Sequence, residues 1–222
     1  MIIGHYAVAF AAKPFAPRTS LGVLIAAAAF LDLLWPVLLL LGVEHVVIAP
    51  GNTAFTPLEF TDYPWSHSLA ASIAWGALLG GLYFAWARQR AGALAVALLV
   101  PSHWVLDWIT HRPDLPLVPG GARYGLGLWN SVLYTLGVEL LLFGVGVLIY
   151  CETTKARDRI GAWGTAVFVA LTMTIYGAAV FGPPPPNVAA IAWTDMGQWL
   201  FVLIAAWTDA HRGPRKIPQR AS

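Results

Sequence analysis

The segment Leu21–Leu41, LGVLIAAAAFLDLLWPVLLLL, carries one charged residue, Asp32, in an otherwise apolar run. An α-helix rises about 1.5 Å per residue, so a helix of this length covers roughly the 30 Å of hydrocarbon in a bilayer. A barrel strand would need only about ten residues with alternating polar and apolar side chains, and the segment does not alternate. The sequence therefore predicts a transmembrane helix here.

Five more long apolar segments and a short one accompany it. The whole chain is 58% hydrophobic and 11% charged, with a mean hydropathy of +0.67, whereas a soluble domain is about 25% charged. We therefore predict an all-α fold: a polytopic membrane helix bundle of six transmembrane helices plus a short N-terminal membrane-embedded helix. The other segments are Ile2–Ala12 (the short one), Pro64–Trp86, Ala91–Thr110, Leu128–Tyr150, Ala162–Phe181 and Val188–Trp207.

The composition also limits the partners of this chain. The net charge of +2 gives no argument for nucleic acid, and the single cysteine, Cys151, excludes an intramolecular disulfide. The eleven tryptophans suit the membrane–water interface. Membrane lipids are the expected surroundings, and residues 1–222 are predicted to form one integral membrane domain.

The connecting loops differ sharply in charge, which predicts their orientation. Among the basic residues, only Arg112 and Arg123 lie in the predicted outer loops. By the positive-inside rule the other loops and the C-terminus are cytoplasmic, as expected for a bacterial inner or plasma membrane. Residues 210–222 form a basic cytoplasmic tail beside anionic lipid. The eleven inner basic residues are Lys13, Arg18, Arg88, Arg90, Lys155, Arg157, Arg159, Arg212, Arg215, Lys216 and Arg220.

We single out six ionisable residues inside the apolar segments, where each costs a few kcal/mol on insertion scales and requires a partner. The helical rise places Asp32 about 21 Å and His103 about 20 Å from the inner surface. His103 and Asp107 are spaced i, i+4 and share a helix face. That pair suits a metal site, although a simple hydrogen bond would satisfy it equally. The six are His5, Asp32, His67, His103, Asp107 and Glu139.

Together, three histidines and two aspartates favour a shared metal or catalytic site at mid-to-outer depth. His5, His67 and Asp32 join the His103–Asp107 pair in this prediction. Glu139 is expected either to support a ligand histidine or to pair with another buried group. Asp62 and Glu59 belong to the mouth of the site or are solvated loop charges. Further polar residues near the motifs are Ser66, Ser68, His111 and Asp114.

Four motifs, taken in order, resemble the family of membrane-bound metal-dependent hydrolases of bacterial inner membranes. They are GHYAVAF with His5, AAFLDLLWP with Asp32, PWSHSLAAS with His67, and SHWVLDWITHRPD with His103 and Asp107. The resemblance covers about the first 115 residues; residues 116–209 add helices without a matching motif. The family often has His-Arg-Gly shortly before its middle histidine, where this chain has Asp62-Tyr63-Pro64.

The resemblance implies a divalent metal, zinc by expectation, with His5, Asp32, His67, His103 and Asp107 as ligands. A metal lowers the pKa of a bound water toward ~7, and Asp107, Asp62 or Asp32 would take its proton. A lipid-like or membrane-associated ester or phosphoester is the implied substrate, with its anionic headgroup meeting Arg112 or Arg123. Two alternatives stay open: a small transporter or permease with an intramembrane ion or proton relay, and a cluster that only holds helices together.

Overall fold

The computed structural model describes residues 1–215, and its architecture is mainly helical. Lys216 and Arg220 of the predicted basic tail lie outside the described residues. In chain order the helices are α1 Gly4–Ala12, α2 Leu21–Ala28, α3 Phe30–Leu40, α4 Pro64–His67, α5 Leu69–Ala87, α6 Arg90–Thr110, α7 Val132–Thr153, α8 Arg159–Phe181, α9 Val188–Met196 and α10 Gln198–Ala210.

Within the described residues, five helical segments are long and apolar enough to cross a membrane, and α2 with α3 makes a sixth if that bent pair is one span. This confirms the predicted helical membrane bundle. The chain is an integral membrane protein. The five segments are α5, α6, α7, α8 and Val188–Ala210, which joins α9 and α10 across Gly197.

The predicted single helix Leu21–Leu41 is instead two helices that meet at an angle of 58°. The break is at Ala29, three residues before Asp32. The carbonyl of Ala28 at this break accepts a hydrogen bond from Nδ1 of His103, at 2.8 Å. A helix end leaves carbonyls without intrahelical donors, so the bend provides a tertiary acceptor for a histidine on α6.

The loops gather at two ends of the bundle. At one end, strand β5 (Thr154–Ala156) pairs with strand β6 (Arg212–Pro214). We call this the basic end and define it as residues 13–20, 88–90, 154–159 and 211–215. The hairpin end, residues 41–63, 111–131 and 182–187, contains two small sheets: β1 (His45–Ile48) with β2 (Leu58–Asp62), and β3 (Leu115–Pro116) with β4 (Arg123–Tyr124).

The short helix α1 lies inside the bundle and packs chiefly against α7, with α2 and α6 on its other sides. Its approach to α7 depends on Gly146, because a Cβ there would lie 2.4 Å from the carbonyl oxygen of Ala7. Phe10, which is fully buried, contacts Tyr150 of α7 and Phe168 of α8 with ring centroids 5.2 and 5.9 Å apart. These contacts fix the height of His5 in the bundle.

Candidate metal centre

Asp107 is the centre of a buried cluster toward the hairpin end of the bundle. Its Oδ1 lies 3.1 Å from Nε2 of His5 on α1. Its Oδ2 lies 3.1 Å from Nε2 of His103, one turn earlier on α6, and 3.8 Å from Nε2 of His67 on α4. The amino group of Met1 also contacts Oδ1. Three helices therefore converge on one carboxylate.

Asp32 supplies the second carboxylate, from the start of α3 just beyond the bend. Its Oδ1 lies 3.4 Å from Nε2 of His67 and 3.5 Å from Nε2 of His103. Its side chain is 27% exposed, whereas that of Asp107 is 2% exposed. Asp32 is therefore the more accessible of the two carboxylates.

The structure brings together the five predicted metal ligands. The rings of His5 and His103 stack in parallel, with centroids 3.5 Å apart. Two sets of three have all their ligand atoms within 4.8 Å of one another, and His103 belongs to both. The sets are His5, His103 and Asp107, and Asp32, His67 and His103.

Asp62, the other predicted catalytic residue, is not brought into this cluster. It ends strand β2 at the hairpin end, its side chain is 57% exposed, and its carboxylate lies 3.8 Å from Nδ1 of His45. Glu59 on the same strand pairs with Arg112 at 2.9 Å. Strand β2 therefore keeps both acidic side chains in contacts with loop residues, away from the cluster.

The tautomer of His103 follows from its hydrogen bonds. Nδ1 lies against the Ala28 carbonyl, which can only accept, so Nδ1 carries a proton. In a neutral imidazole Nε2 then has a lone pair. This Nε2 is buried, makes no hydrogen bond among the described residues, and faces oxygens of Asp32 and Asp107.

His67 has the same arrangement through two polar residues. The hydroxyl of Ser66 donates to Oε2 of Glu44 at 2.6 Å, so its oxygen is left to accept from Nδ1 of His67 at 2.7 Å. Glu44 is 1% exposed, and its Oε1 also accepts from the backbone N–H groups of Trp65 and Ser66. Nε2 of His67 is thus directed at the two aspartates with its lone pair.

His111 extends the cluster on the side of the loop after α6. Its Nδ1 lies 2.9 Å from Oδ1 of Asp114, which also accepts from the hydroxyl of Tyr63 at 3.0 Å. Its Nε2 lies 4.0 Å from Oδ2 of Asp107. Burial lowers the pKa of His111, which favours the neutral imidazole that can coordinate a cation.

Glu139, near the middle of α7, acts on the backbone of α1. Its Oε2 accepts from the N–H groups of Ile2 and Ile3, at 2.9 and 2.7 Å, and more weakly from that of Gly4. A carboxylate at a helix N-terminus satisfies donors that have no intrahelical partner. Of the two predicted roles, Glu139 therefore has the second: it pairs with buried backbone groups and fixes the N-terminal turn that carries His5.

This donor set fits a divalent cation. The carboxylates of Asp32 and Asp107 both lie within 4 Å of Nε2 of His67 and of Nε2 of His103. Two negative charges this close repel each other unless positive charge lies between them. The lone pairs of neutral histidines that face the carboxylates add to that repulsion. A proton on an imidazole or a bound cation would relieve it. Imidazole nitrogens with carboxylate oxygens are the usual ligands of zinc, and outer partners such as Ala28 and Ser66 orient ligand histidines in this way.

Sequence reasoning left three residues of this region out of the predicted site. Nothing in the local sequence indicates the contact of Glu44 with Ser66. His111 was named only as a polar residue near the motifs, although its position four residues after Asp107 on the same helix stripe was a usable signal. Asp195, near the end of α9, lies inside an apolar segment, and α9 packs against α3, the helix that carries Asp32; its placement in that segment was the signal.

Comparisons with family models, with curated proteins and with solved structures give no match to this chain. Fold and site therefore define it by class: an integral membrane helix bundle with a buried histidine–aspartate cluster. The resemblance to membrane-bound metal-dependent hydrolases stays a prediction from the motifs.

Proposed function

We propose that this protein is a membrane-embedded metal-dependent hydrolase that acts on a lipid-like or membrane-associated ester or phosphoester. The observation that carries the proposal is the direction of the Nε2 atoms of His67 and His103. Each ring is anchored through Nδ1, and each Nε2 faces the carboxylates of Asp32 and Asp107. A divalent metal, zinc by its ligand preference, satisfies all four groups.

The chain's own residues divide the work of hydrolysis. Bound zinc would supply a water of lowered pKa at this position. Asp107, enclosed by His5 and His103, holds and orients ligands. Asp32 is more open and is positioned to take a proton as general base. Arg112, 34% exposed at the hairpin end, pairs with both Glu59 and Asp114 and would exchange these partners to bind an anionic substrate group.

The substrate class follows from the place of the centre. The cluster lies toward the hairpin end, which the positive-inside rule assigns to the outer face of a bacterial inner or plasma membrane, with the C-terminus cytoplasmic. A centre enclosed by apolar helices at this level is reached more readily from lipid than from the cytoplasm. This supports a lipid-like substrate.

Metal analysis of the purified protein tests the proposal. We expect about one metal ion per chain, retained through dialysis, because buried His and Asp ligands bind zinc tightly. His67→Ala and His103→Ala should each lose most of it. His45→Ala, on an exposed histidine at the same end of the bundle, is the matched control and should keep it. Metal content that is unchanged in both cluster variants would refute the site.

A second candidate function is a transporter or permease with an ion relay. The bend at Ala29 beside Asp32 and the interruption at Gly197 beside Asp195 favour it, since discontinuous helices often form ion sites near the middle of transporters. Uptake into vesicles driven by pH or an ion gradient, with no metal retained by the pure protein, would select this function over hydrolysis.

A further inference from the structure

A cavity of about 570 Å³ opens at the basic end, away from the histidine–aspartate cluster. It lies between the α1–α2 loop, the connection from α7 to α8, and the end of α10 with strand β6. Its volume is in the range of small-molecule sites. Five basic side chains line it: Lys13, Arg18, Arg157, Arg212 and Arg215.

Two of these five cations are neutralised by carboxylates that also line the cavity. Nζ of Lys13 lies 2.5 Å from Oδ2 of Asp209, whose Oδ1 accepts from the hydroxyl of Tyr150 at 2.8 Å. Arg215 pairs with Glu152 at 3.0 Å. These two ion pairs form part of the cavity wall and contribute no net charge to it.

The other three cations have no carboxylate partner within residues 1–215. Arg212 donates to neutral oxygens, the hydroxyl and carbonyl of Thr154 and the carbonyl of Gly161. Arg18 and Arg157 form no ion pair with the described acidic side chains, and both are exposed. The seven residues that follow Arg215, KIPQRAS, contain no acidic side chain. The cavity therefore has an excess of positive charge.

The rest of the lining is largely apolar. Pro14 and Pro17 form one side, and Ala206 and Ala210 of α10 form another. Phe15, next to Pro14, is 78% exposed. An apolar surface beside unpaired guanidinium groups suits a molecule that has both a phosphate and hydrocarbon chains. Basic pockets between transmembrane helices on the cytoplasmic side bind such headgroups.

We propose that this cavity binds the phosphate group of an anionic membrane phospholipid, with Arg18 and Arg157 as its principal contacts. A guanidinium group can present two parallel N–H donors to phosphate oxygens. The proposal is independent of hydrolysis at the metal centre, because the two sites lie at opposite ends of the bundle.

Lipid retention by the full-length protein tests it. The protein is placed in nanodiscs of phosphatidylcholine with and without phosphatidylglycerol, and bound lipid is measured by native mass spectrometry after detergent extraction. We expect selective retention of phosphatidylglycerol, and a loss of about tenfold or more in Arg18→Gln/Arg157→Gln, since two charge-assisted contacts disappear. Arg90→Gln/Arg159→Gln, which changes two exposed arginines of the same end outside the cavity, should retain the lipid.

A soluble anion is distinguished by a second arm. Inorganic phosphate is titrated in phosphatidylcholine nanodiscs while the thermal unfolding midpoint is followed. Stabilisation by phosphate alone, without selective lipid retention, would overturn the lipid assignment. Equal lipid loss in both double variants, or no preference for phosphatidylglycerol in the wild type, would overturn the site. The thermal unfolding midpoint in phosphatidylcholine nanodiscs without added phosphate serves as a fold control and should be the same in both double variants as in the wild type.

Discussion

The imidazole of His67 is oriented by two side chains that lie outside the cluster. The hydroxyl of Ser66 accepts a hydrogen bond from Nδ1 of His67 at 2.7 Å and donates one to Glu44 at 2.6 Å. Glu44 is in turn held by two backbone N–H groups of α4. Because the three groups form one chain, the direction of Nε2 depends on a loop residue far from His67 in sequence.

Removal of the Ser66 hydroxyl should weaken metal binding without unfolding the protein. In Ser66→Ala the Nδ1 proton of His67 loses its acceptor. Groups that accept a hydrogen bond from a metal-binding histidine typically contribute 10–100-fold in metal affinity, so we expect a loss of about 10–100-fold. Ser66→Thr keeps a hydroxyl and should recover most of the affinity. A competition titration with a chelator measures it. Equal metal affinity in Ser66→Ala and the wild type would contradict a role of this hydrogen-bond chain in orienting His67.

Sequence pattern predicted which residues form the buried cluster, because their types and spacings are local. His103 and Asp107 share a helix face, and Asp32 stands alone in an apolar run. The hydrogen-bond partners of these residues could not be predicted in the same way. Glu44 reaches Ser66 only after strands β1 and β2 fold back, and the Ala28 carbonyl becomes available to His103 only where α2 ends.

At the scale of elements, the position of α1 decides whether His5 reaches Asp107. Glu139 binds the first N–H groups of α1, and the close approach at Gly146 lets α1 lie against α7. The sequence predicted a short membrane-embedded helix, because its apolar run is too short to cross. It could not show that α1 would be enclosed, since that depends on a small residue in a helix more than a hundred positions away.

Gly146→Leu should force α1 away from α7. A Cβ there would lie 2.4 Å from the carbonyl oxygen of Ala7, and overpacking of this kind costs about 1–3 kcal/mol. Gly144→Leu lies on the same helix with open space at its Cβ and is the matched control. We expect a lower thermal midpoint and reduced metal content in Gly146→Leu only. Equal midpoints for the two variants would contradict this packing.

At the scale of the whole molecule, the loops separate into a basic end and a hairpin end. Pairing of β5 with β6 and the Lys13–Asp209 contact bring three separate chain regions to the basic end. The histidine–aspartate cluster lies toward the opposite end, roughly 20 Å along α6 from the basic end, because His103 follows Arg90 by 13 residues. The number of long apolar segments and the charge of the loops were predictable from sequence, because both depend on local composition, whereas the helix breaks at Ala29 and Gly197 were not.

The membrane orientation of these two ends is open to direct measurement. Eleven basic residues at one side against two at the other predict that the basic end is cytoplasmic. In a Cys151→Ala background, single substitutions Lys155→Cys at the basic end and Tyr124→Cys at the hairpin end place a thiol at exposed positions. The label is a membrane-impermeant maleimide, added to bacterial cells whose outer membrane is permeabilised and whose inner membrane is intact. It should react with Tyr124→Cys alone. After lysis it should react with both cysteines. Labelling of Lys155→Cys before lysis would reverse the orientation. In that case the basic cavity would lie at the outer leaflet, whereas the positive-inside rule predicts the cytoplasmic leaflet. The histidine–aspartate cluster would then be reached from the cytoplasmic side.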